Sequence, residues 1–307
     1  MINVLNITKI YKDGTLANNS INLHVPKSDI VGLIGPNGAG KTTLIRQIVG
    51  LLKPTSGEIF IDGQLQNRGR KETSKHIAFF NQKTAMLEAH TAFEVIYYTG
   101  VYRGLGKADA QNQANELIEY FGLSSDIKKR LNCLSGGQTK LVMLAATFIG
   151  NYPLVILDEP TNDLDPLNRN RLWTLVNRFN HEYNSTFIIA SHNLSELETV
   201  ARTIAIIKDG KIVDYDDIQS LKKKYSNGYQ IAVQCEFNEI ESLVGKITYP
   251  YSIENNNEIF ITANEENLSE IAQNILLIIR EFNAEMKIYH TTLSNIYQTV
   301  QEKEISV

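Results

Sequence analysis

Residues 35–43 read GPNGAGKTT. Gly35 to Thr42 fit the pattern G-x-x-x-x-G-K-[ST], between the apolar run IVGLIG at 30–35 and TTLIRQIVGLL at 42–52, which has helical spacing. A strand, a glycine-rich turn and a helix are the setting that phosphate binding needs. The glycines let the backbone wrap phosphate oxygens and aim N–H groups at them, and the helix N-terminus adds a favourable partial charge. Asn37, Gly38, Gly40, Lys41, Thr42 and Thr43 are the candidate nucleotide contacts. Lys41 reaches toward the β- and γ-phosphates, and the Thr42 hydroxyl is a ligand for Mg²⁺. Residues 154–159, LVILDE, supply the other half of the chemistry. Asp158, at a strand end beside a phosphate loop, is placed to hold Mg²⁺. Glu159 is placed to orient or deprotonate an attacking water. Without the phosphate loop these would be two surface acids.

A second segment also suits an anion. Leu134-Ser135-Gly136-Gly137-Gln138 presents a hydroxyl and backbone N–H groups, yet it lies far from the lysine-bearing loop. Its plainer reading is a flexible glycine turn before a helix over 138–149. The question is which nucleotide this second loop serves.

The elements that must position these residues alternate in kind. Residues 2–10 and 20–25 have strand alternation, and 57–62 (GEIFID), 77–82 (IAFFNQ), 154–159, 186–191 (TFIIAS) and 203–208 (TIAIIK) read as further strands. Helical patterns separate the later ones, which implies an α/β fold with a mostly parallel sheet. Residues 83–150 are mostly helical by pattern and form an insertion within that core. The polar stretch KKKYSNG at 222–228 is expected to be a linker. Beyond it, 229–307 reads β-α-β-β-α-β and a last helix, with a hairpin turn at Glu254-Asn255-Asn256-Asn257. That order fits a small ferredoxin-like α+β domain.

Length and composition agree with about two domains at roughly 150 residues each. The 307 residues are 43% apolar and carry a net charge of −4, so nucleic acid is not an expected partner. Two cysteines, Cys133 and Cys235, are too few and too far apart for a metal site or a disulfide framework, and a reducing compartment is expected. The N-terminal MINVLNITKI has no basic region followed by an apolar block, so no signal peptide is expected. No apolar run approaches the ~20 residues that span a bilayer.

Taken together, these motifs resemble the ATP-binding cassette family, the nucleotide-binding subunits of ABC transporters, over about residues 1–220. The resemblance implies a P-loop NTPase cassette over 1–221, with a RecA-like core, an antiparallel β subdomain and the helical insertion. It also implies ATP and Mg²⁺ as cofactors. In that family two cassettes dimerise head to tail, and LSGGQ of one chain closes over the γ-phosphate held by the other. Ser135, Gly137 and Gln138 would then serve the partner's ATP, which answers why both loops are needed. Further positions carry over one at a time. Tyr11 matches the aromatic that stacks on adenine, with simple packing as its alternative. Gln82 matches the glutamine that senses Mg²⁺ and water and links to the helical block, although Asn81 replaces the proline often found before it. Asp165 matches the aspartate that couples the two sites, and His192 the histidine that contacts the γ-phosphate. After LSGGQ many members carry an arginine or two, where this chain has Thr139-Lys140-Leu141.

The resemblance implies an ATPase that drives a separately encoded transmembrane permease from the cytoplasmic face of the membrane, with a second copy of itself as partner. Residues 90–106, HTAFEVIYYTGVYRGLG, resemble the drug, antibiotic and peptide exporter branch. Phe93, Tyr97, Tyr98 and Tyr102 there are either docking residues or the core of the helical block. An importer subunit is the nearest rival. A translation factor would resemble two cassettes joined by a basic linker, and a chromosome-maintenance ATPase would carry a long coiled coil within the cassette.

Overall fold

The computed structural model describes residues 1–66, 76–81, 88–225, 228–254, 258–264 and 266–302. Packing divides the chain into Met1–Tyr215 and Asp216–Val307.

In the first unit, Ile2–Ile10 (β1) and Leu16–Val25 (β2) pair antiparallel, with Ile2 opposite Val25. Ile30–Ile34 (β3) is buried at every position and leads through residues 35–40 into helix Lys41–Ile48 (α1). Ser56–Ile61 (β4) and Gln64–Leu65 (β5) complete a four-stranded antiparallel sheet in the order β2-β1-β4-β5.

Ile77–Phe80 (β6), Leu154–Asp158 (β7), Thr186–Ala190 (β8), Thr203–Lys208 (β9) and Lys211–Asp217 (β10) join β3 in a six-stranded sheet. Its order is β10-β9-β3-β8-β7-β6. The pairs β9–β3, β3–β8, β8–β7 and β7–β6 are parallel. The wholly buried runs of β3, β7 and β8 suit strands covered on both faces. On one face, Leu44, Ile45 and Ile48 of α1 pack with the antiparallel sheet and with Leu33, Ile156 and Ile188. Between β6 and β7 run Ala92–Tyr102 (α2), Lys107–Tyr120 (α3) and Gly136–Phe148 (α4), the helical insertion expected there. Pro166–Tyr183 (α5) and Leu194–Val200 (α6) complete the unit. Aromatic rings lock α4 and α5 onto β8, with Phe148 at 5.0 Å from Phe179 and 6.3 Å from Phe187 between centroids.

Parallel strands end on the same edge. The phosphate loop follows β3, Asp158 and Glu159 close β7, and His192 follows β8, so the three motifs meet at the carboxyl edge where open α/β sheets bind ligands.

The second unit starts earlier than the sequence suggested. Lys222–Tyr225, expected to be linker, belongs to helix Ile218–Tyr225 (α7), whose Ile218 and Leu221 are buried one turn apart. Lys222, Lys223 and Lys224 fall in the last turn, where cations favour the helix C-terminus instead of marking coil. Then come Tyr229–Gln234 (β11), Ile240–Val244 (α8), Tyr251–Glu254 (β12), Glu258–Ala263 (β13), Leu268–Ile279 (α9), Glu285–His290 (β14) and Leu293–Glu302 (α10). The strands form one antiparallel sheet in the order β12-β13-β11-β14, the split βαβ arrangement. Ile231, Val233, Ile259 and Ile261 meet Ile271 and Ile275 of α9 in its core. Residues 255–257 of the expected hairpin turn lie outside the described residues.

Candidate functional site

The phosphate loop is shaped by close backbone contacts. Gly40 has φ +103°, and a Cβ there would lie 2.3 Å from the Ala17 carbonyl oxygen. At Gly35 it would lie 2.2 Å from the Ile207 carbonyl oxygen. Only glycine fits either place. Asn18, wholly buried on β2, donates from Nδ2 to the Gly40 carbonyl at 3.2 Å. Gln47 Nε2 in turn donates to Asn18 Oδ1 at 2.7 Å. Sequence reasoning missed this brace, because Asn18 lies 22 positions from Gly40 and 29 from Gln47, and neither Asn18 nor Gln47 belongs to a motif.

Lys41 folds into the loop and donates from Nζ to the carbonyls of Gly35 at 2.6 Å and Pro36 at 3.1 Å. Burial pulls its pKa down, while the carboxylates of Glu159 and Asp158 oppose that pull. Thr42 Oγ1 donates to Asp158 Oδ2 at 2.9 Å. The other oxygen, Asp158 Oδ1, is buried without a hydrogen-bond partner. Burial pushes the Asp158 carboxyl above the usual range, against the hydrogen bond from Thr42. A buried carboxylate oxygen with no donor, next to a bound hydroxyl, fits a hard cation completed by phosphate oxygens.

Glu159 has φ +50°, a left-handed conformation uncommon outside glycine. Its N–H donates to the Ala190 carbonyl at 2.9 Å, continuing the β7–β8 ladder by one residue. Its Oε2 lies 2.8 Å from His192 Nδ1. An ionised carboxylate only accepts, so Nδ1 carries the proton in that pair and Nε2 remains for another partner. The Glu159 side chain is 18% exposed and that of His192 60%, so the histidine is the outer member. Tyr11 lies just past β1, with its hydroxyl 3.2 Å from Thr43 Oγ1 and its ring near Lys9 Nζ. Asn37 and Gly38 are exposed on the loop. Gln82 lies outside the described residues, and β6 ends before it at Phe80.

The second loop forms its own cluster. Ser135 caps α4: its Oγ accepts from Gln138 N at 3.2 Å, and Gln138 Oε1 accepts from Ser135 N at 3.0 Å. Gln138 Nε2 donates to Asp126 Oδ2 at 2.7 Å. The Gln138 amide, expected at a nucleotide, is thus engaged within its own chain at both ends. Asp126 also pairs with Lys129 at 2.7 Å. Ser135 and Gly136 are exposed, and the first-turn N–H groups of Gly136 and Gly137 are the kind that a helix leaves for an outside acceptor. Asp165 caps α5 by accepting from Asn168 N at 3.0 Å and Asn168 Nδ2 at 2.6 Å. Those hydrogen bonds hold its carboxyl below the usual range. The structure therefore gathers Lys41, Thr42, Asp158, Glu159 and His192 at one edge, with Ser135, Gly137 and Gln138 on a separate helix end.

The aromatic run of α2 is not core. Ala92, Val95, Ile96 and Gly100 are its buried residues, while Phe93 and Tyr97 stack at 5.4 Å between centroids. Tyr98 is 45% exposed and Tyr102 90%.

Comparison with known proteins agrees with this geometry. Residues 18–162 match the family described as ABC transporter. The bacitracin transport ATP-binding protein BcrA of Bacillus licheniformis is 34% identical over 73% of this chain and 72% of its own length. The methionine import ATP-binding protein MetN of Corynebacterium jeikeium is 34% identical over 69% of this chain and 60% of its own. A dimeric post-hydrolysis ATP-binding cassette bound to ADP and Pi superposes with a TM-score of 0.66 at 26% identity, covering 71% of this chain and 99% of that one. Among curated relatives like these, the chain spans from 9% to 98% of their own length. Strand order, phosphate loop and paired carboxylates define a P-loop ATPase of the cassette class, which binds ATP. The chain belongs to the ATP-binding proteins of the ABC transporter family.

Proposed function

We propose that the chain is the Mg²⁺-dependent ATP-hydrolysing subunit of an exporter of drugs, antibiotics or peptides. It acts as a head-to-tail homodimer and drives a separately encoded membrane subunit. The observation that carries this reading is the split of the chemistry: phosphate loop, carboxylates and His192 at the carboxyl edge, and the anion-suited Ser135 loop on another helix end.

Thr42 and Asp158 would hold Mg²⁺, which neutralises charge on the β- and γ-phosphates when bound. Lys41 binds the same phosphates. Glu159 orients a water and takes its proton as the water attacks the γ-phosphorus and the bond to the β-bridging oxygen breaks. His192 holds the Glu159 carboxylate through Nδ1–H and, as an imidazolium, donates from Nε2 to a γ-phosphate oxygen. Tyr11 stacks on the adenine. Ser135 and the Gly137 N–H of the second copy close over the γ-phosphate with charge-assisted hydrogen bonds, so loss of that phosphate reopens the dimer.

The exposed Tyr98 and Tyr102 on α2 suit a protein partner. The subunit works at the cytoplasmic face of the membrane; among the described residues no helix is long and apolar enough to cross a membrane. Export is favoured by the bacitracin-transport relative and by the aromatic run. Import is the second reading, favoured by the methionine-import relative. The test is a pull-down from native membranes with tagged Glu159→Gln, ATP and Mg²⁺. Recovery of a multi-span membrane protein is expected. Recovery of ribosomal or chromosomal proteins without one overturns the transport reading.

A further inference from the structure

Lys140 is buried, at 9% exposure, in the second turn of α4. Its Nζ donates to the Asn162 carbonyl at 2.5 Å and to the Glu159 carbonyl at 3.2 Å. It also lies 5.8 Å from the centroid of the Phe80 ring, within cation–π range. These contacts clamp both ends of a tight turn. Glu159 sits in the left-handed region, and Asp163, just after Asn162, does so too at φ +60°. The Glu159 N–H is already fixed by the Ala190 carbonyl. Both backbone groups of Glu159 are therefore held, one by the sheet and one by a cation from the helix that Ser135 caps.

An ammonium is costly to bury without strong acceptors. Burial lowers the pKa of Lys140, and the carboxylates of Asp163 and Glu159 work against that. A methionine of similar length would fill the space without desolvating a charge. The charge at this place therefore calls for a role beyond packing.

We propose that Lys140 is a positioning residue for hydrolysis: through the Glu159 and Asn162 carbonyls it fixes the backbone that aims the Glu159 carboxylate, and so ties the second anion loop's helix to the water-activating group of its own chain. The inference rests on the hydrolytic role of Glu159 given above. It acts at the chemical step, because among the described residues Lys140 donates to the carbonyls of Glu159 and Asn162 and to no atom of the phosphate loop.

The test measures single-turnover ATP hydrolysis and the affinity for a fluorescent ATP analogue in the full chain. Lys140→Met should lower the hydrolysis rate by about tenfold to a hundredfold, as expected for a misplaced catalytic group, with nucleotide affinity unchanged. Lys140→Arg should recover most of the rate, because a guanidinium also donates to two carbonyls. Combined with Glu159→Gln, Lys140→Met should add no further loss, as for residues acting through one group. If the methionine variant does not fold, Lys140→Gln takes its place, with a smaller loss expected because its amide still donates to one carbonyl. A wild-type rate in Lys140→Met, a loss of affinity equal to the loss of rate, or full additivity with Glu159→Gln overturns the proposal. A wild-type protein that does not hydrolyse ATP, or Glu159→Gln with wild-type rate, refutes the role of Glu159 instead.

Discussion

Tyr11 leaves β1 with its hydroxyl 3.2 Å from Thr43 Oγ1, one residue beyond the threonine that touches Asp158. Its ring is therefore next to the phosphate loop, and the stacking role makes a sharp prediction. Tyr11→Ala should weaken ATP binding about threefold to tenfold, the worth of one ring contact, whereas Tyr11→Phe should bind like the wild type. Equal losses in a nucleotide titration would assign the effect to the hydroxyl and Thr43. Tyr11 was legible only through its place in a family pattern. The phosphate loop and LVILDE were legible directly, since strand, turn and helix chemistry are local. Lys140, Asn18 and Gln47 were not. Lys140 meets carbonyls 19 and 22 residues away, and no residue type in the sequence reveals which backbone oxygens will lie near it.

Helix α5 begins at a cap whose strength depends on charge. The Asp165 carboxylate accepts from Asn168 twice, which holds its pKa below the ordinary value of 3.8. A depressed carboxylate pKa stabilises the fold above the unfolded value, and that stability is lost as pH falls through the folded value. Asp165→Ala should therefore melt below the wild type at neutral pH, with the gap closing in acid. Asp165→Asn, still a good cap, should show a smaller gap. Thermal melts across pH check this, and a gap independent of pH would contradict the charged cap. The same logic of element ends shows where strand and helix patterns misled. Lys222, Lys223 and Lys224 looked like linker because charge outweighed the buried pair Ile218 and Leu221. Strand β12 starts only at Tyr251, after Pro250, which has no N–H for a ladder. The buried runs of β3, β7 and β8 were clear, because strands covered on both faces need unbroken apolar sequence.

On the scale of the whole molecule, each of the two compact units has its own apolar core. The first holds every residue placed at the ATP site. It also holds a helix end, capped by Ser135, whose cluster of Gln138, Asp126 and Lys129 faces no group of its own phosphate loop among the described hydrogen bonds. The shared site proposed above accounts for that separation, with each ATP enclosed by the phosphate loop of one copy and the Ser135 loop of another. The most direct measurement is the solution mass of Glu159→Gln by light scattering, with and without ATP and Mg²⁺, beside the double variant Glu159→Gln with Ser135→Arg. A shared site predicts a dimer for the single variant only when ATP is present, and a monomer for the double variant that still binds ATP. A single variant that stays monomeric at saturating ATP, or a double variant that dimerises equally well, would contradict it.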